Sequence, residues 1–87
     1  MHEASLMKNL MAKIDAIADQ ENARRVVAVS VWLGALSHMT EEHFGEHFRH
    51  SSAGTRAEGA RVDATLSDDP GHANAQDVLL ESVEVET

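Results

Sequence analysis

The sequence contains no cysteine, and that absence alone excludes disulfides, thiolate zinc sites, iron–sulfur clusters and cysteine nucleophiles. It fits a reducing compartment, and a cytoplasmic location is the expectation. Tyrosine is also absent, and the 87 residues hold one tryptophan and two phenylalanines, so a core has to come from Val, Leu, Ile, Met and Ala. Long apolar runs are missing near the start, where His2, Glu3, Lys8 and Lys13 interrupt the pattern; neither a signal peptide nor a membrane span is expected. Basic residues are scarce, 7 Lys and Arg against 15 Asp and Glu, for a formal charge of −8. Such a balance disfavours nucleic acid and anionic membranes as partners and favours cations.

What remains is a chain of 43% apolar residues, globular in composition and short enough to form one domain spanning residues 1–87. A domain of this size buries only roughly 60% of the surface its unfolded chain exposes, so its stability margin is small.

Leu6, Leu10, Ile14 and Ile17 recur every three or four residues, with Met7, Met11 and Ala18 beside them. This apolar stripe predicts a helix over residues 5–20. Ser5 is its expected N-cap, which would leave residues 1–3 outside. Arg25-Val-Val-Ala-Val-Ser-Val-Trp-Leu33 is β-branched, short and apolar, and reads as a central strand. Alternation sets Val27, Val29, Val31 and Leu33 on one face and Val26, Ala28, Ser30 and Trp32 on the other, both at least partly covered.

Thr40 followed by Glu41 and Glu42 is an N-cap with an acidic first turn, and Met39 and Phe44 occupy hydrophobic-staple positions. A second helix over residues 41–52 follows, with Phe44 and Phe48 on one face and Gly54 placed to end it. Val62, Ala64 and Leu66, then Leu79, Val83 and Val85, alternate with polar neighbours and predict two more strands. Residues 67–76 between them are turn chemistry throughout. The order α-β-α-β-β gives an α+β fold, a small mixed three-stranded sheet with two helices packed on it. The first two strands should be parallel, and the last two are expected to pair antiparallel across the loop.

The chemistry concentrates at the start. In Met1-His2-Glu3 a free terminal amine, the backbone nitrogen of His2 and its imidazole can close fused five- and six-membered chelate rings. Three coplanar nitrogens and a fourth donor make the square-planar site preferred by Ni(II) and Cu(II), and raw affinity favours copper. His43, His47 and His50 fall at i, i+4 and i+7 along the second helix. Two imidazoles one turn apart can share an ion, although solvated helix histidines present the same spacing. His38 lies at the exit of the first strand, and His72 lies in the loop, where solvation is the plainer role. Asp68-Asp69-Pro70 is turn chemistry, short of the six or more oxygens calcium requires. No nucleophile with base and orienting partner, and no phosphate-cradling glycine loop, can be found in the spacing; an enzyme is not expected.

Taken in order, Met1-His2-Glu3 opening an amphipathic helix, the Val-rich strand, Phe44 and Phe48, Gly54-Thr-Arg-Ala-Glu-Gly-Ala60 and Leu80-Glu-Ser-Val-Glu-Val85 resemble the HypA/HybF family of nickel metallochaperones. The resemblance covers nearly the whole chain. It implies a HypA-like nickel-binding domain that delivers Ni(II) during maturation of a nickel enzyme such as NiFe hydrogenase or urease. It also implies a nickel-enzyme precursor or a maturation GTPase as partner. Met1, His2 and Glu3 would hold the ion through the His2 imidazole and nearby backbone nitrogens. Some members use an acidic side chain where Thr40 stands here, so His38, Glu41 and Glu42 are the candidates for a fourth ligand. The family carries a zinc ribbon with two Cys-x-x-Cys pairs between its last two strands. Here residues 67–76 stand in that place, and no structural zinc is expected. Two rival readings are a metal-independent interaction module that binds a nickel enzyme or maturation partner, and a general zinc or nickel buffer centred on His43, His47 and His50.

Overall fold

The computed structural model describes residues 3–87, with side chains from Ser5 onward. The elements run α1 (Glu3–Gln20), β1 (Arg25–Leu33), α2 (Glu41–Ser52), β2 (Arg61–Leu66) and β3 (Val78–Glu86). The architecture is the expected mixed three-stranded sheet with two helices.

Helix α1 takes in Glu3 and Ala4, so Ser5 lies within the first turn rather than at the N-cap. Glutamate and alanine are good helix formers, and each residue added to an existing helix gains a ladder bond without a new nucleation cost. Its stripe of Met7, Leu10, Ile14 and Ala18 is buried against Val29, Val31 and Leu33 of β1 and against Phe44 and Phe48 of α2. Phe44 and Phe48 are almost fully buried with their rings 6.3 Å apart, and each contributes about 1.5–3 kcal/mol through burial. Thr40 caps α2 by accepting the His43 amide at 3.0 Å, and Met39 is buried beside this turn. Gly54, at φ +80, lies just beyond the helix's C-terminal end.

The strand order is β2-β1-β3, with β1 parallel to β2 and antiparallel to β3. The expected β2–β3 pairing is therefore incorrect. A β2–β3 hairpin would leave one edge of an apolar central strand with orphan amides and carbonyls, which burial makes costly. The connection instead passes the C-terminal end of β1. Ser67 N–H donates to Leu33 O at 2.8 Å, Leu36 N–H to Ala75 O at 2.7 Å and Gly34 N–H to Asp77 O at 2.8 Å. Gly34 makes this crossing feasible, because a Cβ there would stand 2.2 Å from Ala75 O.

Two register shifts against β3, at Val26/Ala28 and at Ser30/Val31, correct the expected faces. The first inserts Val27 as an extra residue, so Val26 rather than Val27 joins Val29, Val31 and Leu33 in the core. The second inserts Glu81, so Leu80, with Val83 and Val85, packs on the core while Leu79 is exposed. Each extra residue reverses the alternation that follows it.

The face opposite the core is only partly covered. Ala28 is buried there. Its ladder partners Arg61 and Glu84 approach one another across it at 3.8 Å. The His72 ring leans on Trp32, with centroids 4.8 Å apart, and its Nδ1 accepts the Asn74 amide at 2.9 Å. His72 is thus exposed but placed, a tighter role than a freely solvated loop histidine.

Residues 54–60, the segment central to the family resemblance, tie α2, β2 and α1 together. Arg56 donates to the Asp15 carboxylate at 3.0 Å, to the Ala23 carbonyl at 3.0 Å and to the Asp19 carboxylate. Asp19 and then Asp15 raise the pKa of Arg56. Arg56 O also accepts Val26 N–H at 2.9 Å, and Gly54 N–H donates to Glu58 Oε1 at 2.6 Å. Ala57 is buried against the core, and Gly59 sits at φ +79.

Two outcomes follow from this arrangement. Gly34→Ala should destabilise the domain by about 1–3 kcal/mol, since backbone rather than a flexible side chain has to yield; urea unfolding measures it, and an unchanged midpoint would contradict the crossing. Glu86 is held below the ordinary carboxylate pKa, first by its hydrogen bond from Arg24 and then by the Arg24 charge. Its stabilising contribution is therefore present above the ordinary value of 4.5 and is lost as pH falls through the lowered one. Wild type should lose stability more steeply below pH 4.5 than Arg24→Ala, read as unfolding midpoint against pH.

Candidate functional site

Met1 and His2 lie outside the described residues, and of Glu3 only the backbone is described. Their donor geometry is accordingly not part of the structure. The first four N–H groups of any helix lack intrahelical partners, so a helix beginning at Glu3 still leaves that backbone amide uncommitted to the ladder.

The remaining candidates lie around the start of α2. His38 is exposed at φ +60, a left-handed conformation uncommon outside glycine. It follows a turn in which Ser37 N–H donates to Gly34 O at 3.0 Å. Glu41 and Glu42 are exposed in the first turn of α2, where carboxylates suit the positive end of the helix dipole. His43 and His47 come together one turn apart, their rings stacked with centroids 4.7 Å apart and planes at 25°. His50 is exposed in the last turn of the helix. Among the described residues no three His, Asp or Glu side chains converge as a group able to hold a metal ion.

The helix spacing that makes the histidine pair is anchored from beneath. Phe44 and Phe48 hold the adjacent face of α2 in the core, and the Thr40 cap fixes its first turn. A groove between α1 and β3 is lined by Leu6, Leu10, Ile17 and Leu80, with Lys13 at its side; it contains none of the candidate ligands. No helix among the described residues is long and apolar enough to cross a membrane.

Sequence reasoning named every histidine on α2 but missed Arg56. Its signal was an arginine flanked by helix-capping residues, with Asp15 and Asp19 spaced one turn apart on α1. Such a pair can grip one guanidinium from a single helix face.

Comparison with known proteins gives this geometry a context. Solved structures share the fold over nearly all of the chain. The solution structure of the Ni metallochaperone HypA from Helicobacter pylori matches with a TM-score of 0.79 at 19% identity, covering 99% of this chain and 98% of that one. A second solution structure of HypA protein matches at 0.77 and 19% identity, covering 98% and 96%. The family model for hydrogenase/urease nickel incorporation, metallochaperone, hypA, matches residues 1–77. The fold and this match define a nickel-incorporation metallochaperone class. The chain belongs to the HypA family.

Two curated relatives, both named hydrogenase maturation factor HypA, agree. The one from Picosynechococcus sp. is 32% identical over 62 residues, covering 71% of this chain and 55% of the relative. The one from Methylocella silvestris is 36% identical over 66 residues, covering 76% and 58%. The chain thus spans a little over half the length of the curated relatives it matches.

The cap that sets the start of α2 is directly testable. Thr40→Ala should cost about 1 kcal/mol and release the His43 amide, seen as a lower thermal midpoint and faster hydrogen exchange at His43. An unchanged midpoint and exchange rate would refute the cap.

Proposed function

We propose that this chain is a nickel carrier that holds Ni(II) at its N-terminal segment and releases it to a partner assembling a nickel enzyme. The observation that carries the reading is Met1-His2-Glu3 at the head of a chain whose family match begins at residue 1. The ion is cargo, bound by the His2 imidazole and backbone nitrogens of this segment, with the Met1 amine where the terminus is free. His38, Glu41 or Glu42 supplies a further donor. Nickel is preferred over the copper that raw affinity would select because the family's role is nickel incorporation. A carboxylate donor would also offset the repulsion between a cation and the positive end of α1.

The partner is a nickel-enzyme precursor, as of hydrogenase or urease, or a maturation GTPase, in the cytoplasm and without nucleic acid or membrane. With no cysteine in the sequence, thiolate zinc binding plays no part, and residues 67–76 take the place of the zinc ribbon.

Calorimetry with Ni(II) on untagged protein beginning at Met1, against His2→Ala, tests the carrier. The variant should bind at least about tenfold more weakly, about 1.4 kcal/mol. Equal affinity would overturn the assignment. Association with a partner that persists unchanged in chelator would favour the metal-independent interaction module instead.

A further inference from the structure

We propose that the groove between α2 and β2 is an isologous interface on which a second copy of this chain docks. Gly45, Phe48, Arg49 and Ser52 of α2, at i, i+3, i+4 and i+7, line it against Ala60 and Val62. Among the described residues β2 is an outer strand, paired with β1 along one edge, and such an edge is a template for another strand. Val62 and Ala64 are half-buried on the core face. Leu66 pairs with the buried Leu33 and so lies on that face too, yet it is 51% exposed. Antiparallel pairing of two β2 strands about Ala64 covers it, because Val62 of each copy then stands opposite Leu66 of the partner subunit. Asp63 falls opposite a threonine, so no like charges meet directly. The other outer strand, β3, carries Glu81, Glu84 and Glu86 and no base, which sets acid beside acid in any self-pairing there.

The helix above the strand is self-complementary about the same point. Gly45 lies inside α2, where glycine costs helix stability relative to alanine. A Cβ there would meet nothing within 4 Å among the described residues, so packing within the chain does not call for glycine, whereas a second backbone approaching this face does. Two residues of strand beyond Val62 advance about 6.6 Å, and four residues of helix back from Arg49 cover about 6 Å, which brings Ala64 and Gly45 nearly level. One two-fold axis therefore serves both elements, as an isologous contact requires. Two α2 helices crossing antiparallel at Gly45 place Arg49 of each beside the Glu41–Glu42 turn of the other. The acids stand in the first turn of α2 and Arg49 in the last, all three exposed. This acid-to-base match offsets the general repulsion between two chains of charge −8.

Sedimentation equilibrium of the untagged chain in chelator tests the interface without reference to nickel or to the carrier assignment, and circular dichroism confirms that each variant is folded. Wild type should form a reversible dimer whose fraction rises with concentration, and the outward amides of residues 61–66 should gain exchange protection in step. Arg49→Glu acts twice across the axis and should weaken the dimer at least about tenfold; adding Glu42→Arg should restore it. Gly45→Leu should abolish the dimer while α2 is retained. A monomer at every concentration, a dimer that tolerates Arg49→Glu or Gly45→Leu, or a double variant no tighter than Arg49→Glu alone would each overturn the interface.

Discussion

The two-sided pairing of β1 is the constraint on which the rest of the structure depends. Its backbone is bonded to β2 along one edge and to β3 along the other, and Val29, Val31 and Leu33 form the floor on which both helices pack. A strand so placed has no solvent for its polar groups, so each must find a partner in the sheet. That requirement sends the chain after β2 across the end of β1 to the far edge. It also demands glycine at position 34, where the crossing backbone leaves no room for a side chain.

Much of this was legible from residue patterns. The β-branched run 25–33 announced a central strand, and Thr40 with Met39 and Phe44 marked the start of α2 to the residue. What escaped were features that alternation cannot encode. Val27 and Glu81 look like ordinary strand residues, yet each is an extra residue in its ladder, and everything beyond it changes face. The side of β1 taken by β3 was also hidden, since a short turn-rich connection reads as a hairpin until the cost of an unpaired edge is counted. Ser5 has the chemistry of a cap, but the helix continues past it because Glu3 and Ala4 favour extension.

The candidate site divides along the same line. Spacing alone identified the His43–His47 pair, because one helical turn converts sequence separation into proximity. The relation of His38, Glu41 and Glu42 to the terminal segment depends on tertiary placement, which spacing does not carry. The segment 54–60 shows how a family signature can be structural: Arg56 grips two carboxylates of α1, and Gly54 and Gly59 adopt positive φ. These residues hold together the scaffold from which α1 and α2 present their leading turns.

In the proposed carrier, nickel is bound by the folded domain and not by a tripeptide that would act equally well on an unfolded chain. Linkage separates the two, since an ion that binds only the native state raises the free energy of global unfolding by RT ln(1 + [L]/Kd). Amide hydrogen exchange of β1, whose protected amides report the most stable part of the molecule, measures this directly with and without Ni(II). The account predicts slower exchange at Val29, Val31 and Leu33 as nickel is added. Exchange at those amides unaffected by saturating Ni(II) would contradict it.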